Sequence, residues 1–399
     1  MNVSSLLSTL EKTYIQMREK AQEAGAYPDI EKPITYMKET IQKLLEEMTP
    51  ESLCHLGEIL VIFGRLEESN HDYYFETALE LFEESAQGHY APALRNLGEK
   101  YFKGDGVKQD VQKGITYLKQ ASYEGDAKAG IELSMIYFLG SKVEKNMELS
   151  LQYISDAVKT GDPNALFHMG QYYYSLNDFE TASSWFQKGT DAGDAESMQS
   201  LGILYLWGNG VEADTDKALS LFTQAAELGC CEAYYILAKL YLYGQSSNSI
   251  NKDETRGLDY LKKAIALGSE DAIEEYGQIL IEGEIVPKNI DSGIKALSYA
   301  AKHGSESAQI SLAELYLSGD VVEEDSEKAF YWLSMAEDIK EPQILQVLAL
   351  MYLQGTGTEK NTNKGIELLK KSIALGSDSS QKILDNLDNL ENLNLDGLM

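Results

Sequence analysis

Residues 194–229 read DAESMQSLGILYLWGNGVEADTDKALSLFTQAAELG, and this stretch decides the fold. A helix turns 100° per residue, and at that angle the small and apolar residues of the first half share one face, whereas a strand would alternate every second residue. A Gly-Asn-Gly-Val turn follows, Asp214 lies near the start of a second helix, and Gly229 ends it, where a left-handed cap favours glycine. The stretch therefore predicts two amphipathic helices joined by a tight turn. The buried face of the first helix is formed by Ser197, Leu201, Gly202, Tyr205 and Leu206.

The same pattern recurs along the chain at intervals of 32 to 41 residues. Each unit has a small residue directly after a large apolar one, which we call position 0, and a second mark, usually glycine, ends the unit. The two marks shift together in the shorter and longer units, so they belong to one repeat. Position 0 is occupied by Gly57, Gly98, Ser134, Gly170, Gly202, Ala238, Gly277, Ala313 and Ala349. The units end at Gly88, Gly125, Gly161, Gly193, Gly229, Gly268, Gly304, Lys340 and Gly376.

Two positions of the first helix have specific packing roles. The small residue at position 0 allows the second helix to approach closely. Tyrosine is frequent three residues later, where it supplies bulk together with a hydroxyl that requires a hydrogen-bond partner. We therefore expect Tyr137, Tyr205 and Tyr316 to pack inside their helical pairs.

This combination of marks resembles the Sel-one-like repeats (SLR), a subclass of the tetratricopeptide-type (TPR-like) helical hairpins. The resemblance covers residues 51–376 as nine units, and residues 194–226 are close to the consensus of that family. The fourth unit departs from it, because Ser-Leu-Asn-Asp at 175–178 replaces the glycine turn. The resemblance implies an all-α fold, a right-handed α-solenoid of antiparallel helix pairs that forms an SLR/TPR-like superhelix without a sheet.

The two ends of the chain lack the repeat marks. Residues 1–50 contain two candidate helices, which we interpret as an N-terminal helical cap. Residues 377–399 carry leucines three apart among Asp and Asn, which is typical of a C-terminal capping helix that continues into a tail. Terminal units of a solenoid need such caps, because each would otherwise expose an apolar face.

Charge and composition limit the kind of partner and the compartment. The 399 residues include 64 acidic and 34 basic side chains, a net charge of −30 that is spread along the chain. Such a charge repels phosphate backbones and anionic membranes, so nucleic acid and membrane surfaces are disfavoured as partners. The three cysteines are too few for a disulfide framework, and we find neither a signal peptide nor an apolar run long enough to cross a bilayer. We therefore expect a cytoplasmic protein.

No group of residues in the sequence indicates catalysis. The Gly-x-Gly turns join two helices and lack both the third glycine of a dinucleotide site and the Lys-Ser/Thr of a phosphate loop. The five histidines lack metal-ligand spacing, and Cys230 and Cys231 are adjacent, which disfavours a bridge between them. We therefore expect no enzymatic activity, no cofactor and no metal.

One stripe of the first helix carries more large apolar side chains than the packing of the repeat requires. Positions −3, +1 and +5 lie outside the main buried arc and are expected to face the concave groove. In units three to six they concentrate large apolar and aromatic residues, the types that anchor interfaces, whereas the flanking units are mostly polar. The alternative is that these side chains pack between neighbouring first helices. The candidate protein-binding residues are Ile131, Met135, Leu139, Phe167, Ile203, Trp207, Tyr235 and Tyr243.

A solenoid offers one long concave surface, which suits an extended segment or a domain of another protein. We therefore predict a non-catalytic scaffold or adaptor for protein–protein interaction. The repeat family is known chiefly for such roles, so the resemblance implies the same. The alternative is an immunity-type or regulatory inhibitor that binds a basic toxin or enzyme, and the net charge favours it only weakly, because charge also serves solubility.

Overall fold

The computed structural model describes residues 41, 43, 44, 47–66, 71–245, 250–335, 341–385 and 387. These residues form nineteen helices, and their only β-type pairing is an isolated bridge between Gln245 and Ile250. The helices divide between two compact units, Met1–Leu204 with Gly208–Glu212 and Tyr205–Trp207 with Ala213–Met399. The first nine helices are α1 (Pro50–Leu66), α2 (His71–Gln87), α3 (Ala91–Lys103), α4 (Val111–Tyr123), α5 (Ala127–Leu139), α6 (Met147–Lys159), α7 (Pro163–Ser175), α8 (Phe179–Asp191) and α9 (Ala195–Trp207). The others are α10 (Thr215–Glu227), α11 (Cys231–Tyr243), α12 (Glu254–Ala266), α13 (Glu270–Glu282), α14 (Ile290–Lys302), α15 (Glu306–Ser318), α16 (Ser326–Met335), α17 (Pro342–Gln354), α18 (Thr362–Ala374) and α19 (Asp378–Asp385).

Consecutive helices pair and stack in chain order within each unit. In the first unit, α1 packs on α2, α3 on α4, α5 on α6 and α7 on α8, and each second helix also contacts the next first helix. The second unit repeats this order from α10 to α19. The predicted all-α solenoid of helix pairs is therefore confirmed.

The close approach of the paired helices depends on the small residue at position 0. A Cβ atom added at Gly170 on α7 would lie 2.4 Å from the ring of Phe186 on α8. At Gly98 on α3 it would lie 2.6 Å from Leu118 on α4. Both distances are below van der Waals contact, so a larger residue would push the two helices apart.

The helix ends follow the signals in the sequence. The carboxylate of Asp194 accepts a hydrogen bond from the backbone N–H of Ser197 at 2.7 Å, and Asp214 accepts one from Lys217 at 2.9 Å. These contacts satisfy N–H groups that a first turn leaves unpaired. Gly229, which follows α10, has φ of +94°, a left-handed conformation that a side chain would strain.

Where position +3 is a tyrosine, its ring lies at the edge of the helical pair. Tyr137 is half-buried and stacks on Tyr153 of α6, with ring centres 5.8 Å apart. Tyr205 and Tyr316 are also half-buried, and the ammonium of Lys328 lies 5.0 Å from the Tyr316 ring. Tyr137 and Tyr316 pack against buried apolar clusters, so the expectation that these tyrosines pack inside the pairs holds in part, with the rings half-buried rather than enclosed. Aliphatic residues and buried phenylalanines such as Phe186 fill the interior, which leaves each tyrosine ring beside the second helix.

The ends of the chain are described only in part. Most of residues 1–50 lie outside the described residues, and their role as a cap stays a prediction. Ile41 is buried and belongs to the same apolar cluster as Leu53 and Leu56 of α1. At the other end, α19 packs against α18, where the hydroxyls of Ser372 and Ser380 are 2.7 Å apart.

Candidate protein-binding surface

The three positions of the first-helix stripe differ in exposure. All nine residues at position −3 are buried or half-buried, whereas eight of the nine at position +5 are exposed. Position +1 is intermediate between these extremes. The stripe therefore turns from the interior at its N-terminal end to solvent at its C-terminal end, because −3, +1 and +5 are four residues apart and drift around the helix by about 40° per step.

Ile131 is not a surface residue, which corrects one of the predicted binding positions. Its side chain is only 5% exposed and packs in a cluster with Ile154 of α6 and Met169 of α7. Because α7 belongs to the next repeat, Ile131 joins two neighbouring repeats. The alternative interpretation, packing between neighbouring first helices, therefore holds for this residue.

Four of the predicted residues do expose large side chains. Met135 and Leu139, which lie on α5, are 47% and 65% exposed. Trp207, the last residue of α9, is 58% exposed, and Tyr243, the last residue of α11, is 50% exposed. A large apolar side chain left in water at a helix end is available for an interface.

The remaining three predicted residues are half-buried. Phe167 contacts the rings of His168 and Phe186, with centres 5.1 Å and 6.1 Å away. Ile203 and Tyr235 each expose only part of the side chain. These three residues are therefore less accessible to a partner than the four exposed ones.

The structure also identifies a position that the sequence analysis missed, position −2. Its side chain contacts the stripe of the preceding repeat. The amide of Asn96 donates to Oε1 of Glu58 at 3.0 Å, and the amide of Gln171 lies 3.5 Å from the hydroxyl of Ser200. The sequence signal for this contact was a polar residue at position −2, directly before the buried positions −1 and 0.

The same contact involves two hydroxyl groups between α11 and α13. The hydroxyl of Tyr235 donates to Oε2 of Glu275 at 3.2 Å, and the hydroxyl of Tyr243 donates to Oε1 of the same carboxylate. Burial and the charge of Glu275 raise the pKa of both tyrosines far above the usual range. Both hydroxyls therefore remain protonated at neutral pH and hold the carboxylate between them.

A group of charged residues lies on α3 and around the start of α5, in the first compact unit. Arg95 donates from Nη1 to Glu99 at 2.8 Å and from Nε to Asp126 at 3.4 Å, and Lys103 donates to Glu99 at 3.3 Å. Glu132 of α5 lies beside this group, and its Oε2 atom is buried with no hydrogen-bond partner among the described residues. Burial, reinforced by the charge of Glu99, raises the pKa of Glu132 to about 7.

Burial favours the neutral forms of two cysteines and one histidine. Burial raises the pKa of the Cys54 thiol to about 12 and that of Cys230 to about 11, so neither is a thiolate at neutral pH. Burial also lowers the pKa of His168. Among the described residues, no three His, Cys, Asp or Glu side chains converge to hold a metal ion.

Comparison with known proteins identifies the family. A family model for the Sel1 repeat matches eight segments of the chain, at residues 91–126, 127–158, 163–194, 195–230, 231–269, 271–305, 306–338 and 347–377. The chain belongs to the Sel1 repeat family. Sel1 repeat proteins are generally scaffolds for protein interaction and are typically non-catalytic. The first of the nine predicted units, which contains α1 and α2, lies outside the matched segments.

Individual relatives of this Sel1 repeat protein are distant. An F-box protein from Arabidopsis thaliana is 29% identical over 119 residues, which cover 29% of each chain. The Sel1 repeat protein spans less than a third of the length of the curated relatives it matches. Two solved structures are each 22% identical to this chain, with a TM-score of 0.46. One is a protective antigen with an SLR fold from uropathogenic Escherichia coli, and the match covers 86% of this chain and 80% of the antigen. The other is a Sel1 repeat protein from Oxalobacter formigenes, and the match covers 88% of this chain and 90% of that protein. Within the described ranges, no helix combines the length and the apolar character required to cross a membrane.

Proposed function

We propose that this Sel1 repeat protein is a non-catalytic scaffold that binds a protein partner along its first-helix stripe. The observation that carries this proposal is the exposure of four large side chains at stripe positions +1 and +5, Met135, Leu139, Trp207 and Tyr243. Buried residues other than these four form the cores of the helical pairs, although Tyr243 also donates a hydrogen bond to Glu275 in the next repeat. Interfaces concentrate binding energy in a few such anchors.

Photo-crosslinking tests where a partner binds. A benzoyl-phenylalanine is placed at Tyr243 on the stripe or at Tyr331 on α16, a second helix, since both tyrosines are 50% exposed. We expect a partner protein to form an adduct at position 243 and not at 331. The captured partner is then purified, and its Kd is measured with the wild type and with Trp207→Ala, which lies in the same compact unit as Tyr243. Equal adducts at both positions, or adducts at 331 alone, contradict the proposal.

A second candidate function is inhibition of a basic toxin or enzyme. The observation that favours it is the surplus of carboxylates over basic side chains in the second compact unit. Glu282 and Glu314 are examples that are exposed on the stripe. An inhibitor of this kind associates faster at low salt, because electrostatic steering decays over a Debye length of about 8–10 Å. The association rate of the captured partner is therefore measured by stopped flow between low and physiological salt. A rate that is indifferent to salt eliminates this candidate.

A further inference from the structure

The surface between α11 and α13 holds a carboxylate in a fixed position. Two tyrosine hydroxyls, from Tyr235 and Tyr243, donate to the two oxygens of Glu275. Hydrogen bonds from neutral hydroxyls orient the carboxylate without removing its charge. Glu275 is half-buried, so the fixed charge lies at the surface rather than in the core.

More negative charge surrounds this carboxylate than the chain itself neutralises. Glu282 lies close enough to raise the pKa of Tyr243, and Asp271 and Glu274 have the same effect on Tyr235. Lys239 lies one turn after Tyr235 on α11, with its ammonium 5.5 Å from the Tyr235 ring centre, but within the described residues neither Glu275 nor the three other carboxylates forms an ion pair with Lys, Arg or His. These acids do not converge to hold a metal ion. The surface therefore attracts cationic groups.

The ring of Tyr243 adds a second feature that favours a cation. Elsewhere in the second unit, cations of this chain cover tyrosine rings: the guanidinium of Arg256 lies 4.1 Å from the ring centre of Tyr241, and Lys328 lies 5.0 Å from Tyr316. Among the described Lys and Arg side chains, none lies over the ring of Tyr243, which is 50% exposed. An exposed ring beside carboxylates binds ammonium and guanidinium groups.

We propose that the surface formed by Tyr243, Glu275 and Glu282 binds an arginine or lysine side chain on an extended segment of the partner protein. This inference rests on the proposed function and adds the chemistry of the partner. The charge complementarity selects a basic segment, and the surface joins α11 to α13, so a bound segment contacts two neighbouring repeats. The cation packs on the Tyr243 ring while the two carboxylates accept its N–H groups.

Fluorescence anisotropy with a defined probe tests this inference. The probe is a labelled peptide of alternating glycine and arginine, and its neutral counterpart replaces each arginine by citrulline. Both are titrated with the full chain at about 0.15 M salt, where weak long-range attraction is screened. The test variants are Tyr243→Ala and the double variant Glu275→Gln/Glu282→Gln. The matched control is Glu323→Gln/Glu359→Gln, which removes the same charge from exposed turns of the same unit.

We expect the arginine peptide to bind and the citrulline peptide not to bind. The Glu275→Gln/Glu282→Gln variant weakens binding about fivefold or more, since it removes two exposed charge pairs with the peptide. The control double variant changes it less than twofold. Equal losses in both double variants, or no binding of the arginine peptide, overturn the inference. Glu282→Gln alone removes an exposed charge, so its effect on binding cannot arise from unfolding.

The same variants separate this inference from the proposed function. If the partner that crosslinks at the stripe binds the Glu275→Gln/Glu282→Gln variant with unchanged Kd, the scaffold function stands and the basic-segment inference is wrong. If no partner crosslinks at the stripe but the arginine peptide binds as expected, the proposed function is contradicted and the cation-binding surface remains.

Discussion

The ammonium of Lys217 lies 4.0 Å from the ring centre of Tyr205 and donates to its hydroxyl at 2.6 Å. Lys217 occupies the first turn of a second helix, and Tyr205 occupies position +3 of the first helix of the same repeat. The arrangement recurs in three other repeats, as Lys113 with Tyr101, Arg256 with Tyr241 and Lys328 with Tyr316. A cation in the first turn of the second helix therefore supplies the partner that the tyrosine hydroxyl or ring requires.

Loss of the contact between Lys217 and Tyr205 is expected to destabilise the second compact unit. We predict that Lys217→Met lowers the free energy of unfolding by about 0.5–1 kcal/mol, the usual value of an exposed cation–aromatic contact. Urea denaturation followed by circular dichroism measures the change. The control is Lys262→Met on α12, an exposed lysine for which no contact with a ring is found among the described residues. Equal effects of the two variants would show that the tyrosine contact contributes nothing.

The close approach at position 0 predicts a second stability difference. Gly170→Ala places a methyl group against the fully buried ring of Phe186, and we expect it to cost about 1–3 kcal/mol. The same substitution at Gly277 meets its nearest atoms at 3.1 Å, where a small shift and the higher helix propensity of alanine, about 1 kcal/mol, offset the strain. Thermal unfolding of the two variants compares them directly. A Gly277→Ala variant as unstable as Gly170→Ala contradicts this account.

Ile131 and Leu139 lie on the same helix, but we predict different losses of stability when each is replaced by alanine. Ile131→Ala removes a buried side chain from the contact between two repeats, so we expect a loss of about 2–5 kcal/mol. Leu139→Ala removes a side chain that is 65% exposed, and we expect a change within about 0.5 kcal/mol. Chemical denaturation measures both. A large loss for Leu139→Ala would place that residue in the packing rather than on the binding surface.

Glu132 predicts a pH dependence of stability. Its pKa is raised from 4.5 to about 7 in the folded protein, so the folded state binds this proton more tightly than the unfolded chain does. The stability from Glu132 is therefore fully present below about pH 4.5 and is lost as the pH rises through about 7. Glu132→Gln cannot ionise, and we expect it to be more stable than the wild type at pH 8 by about 2–3 kcal/mol, with no advantage at pH 4.

The measurement for Glu132 is urea unfolding at several pH values. The control is Glu148→Gln on α6, whose exposed carboxylate has no such burial. Parallel pH profiles of Glu132→Gln and the wild type would mean that Glu132 titrates normally and that its surroundings are wetter than the structure indicates.

The exposed aromatic residues predict a loss of binding without a loss of stability. Trp207→Ala combined with Tyr243→Ala is expected to weaken binding of the crosslinked partner at least tenfold, which corresponds to about 1.4 kcal/mol. Calorimetry measures the Kd, and the melting temperature is expected to change little because both side chains are at least half exposed. A much lower melting temperature, or normal binding, would assign these residues to packing between repeats.

Much of the fold could be predicted because it is written in local spacing. The small residue at position 0, the Asp or Asn before each second helix and the closing glycine each act within a few residues of the chain. Asp214 caps α10 and Gly229 follows its end as expected. The periodicity of 3.6 residues also fixed which side of each helix is buried, because that side is the same in every repeat.

The candidate surface depended on contacts between repeats, which local spacing does not encode. Ile131, Phe167 and Tyr235 share position −3, yet one is buried and two are half-buried, because each meets a different −2 side chain or second helix. Nothing near Glu275 in the sequence indicates that two tyrosines from 32 and 40 residues earlier donate to it. The sequence by itself determined the repeat, the helix pairs and the acidic charge. Only the tertiary structure decided which stripe residues reach solvent, because exposure depends on how closely the next repeat packs.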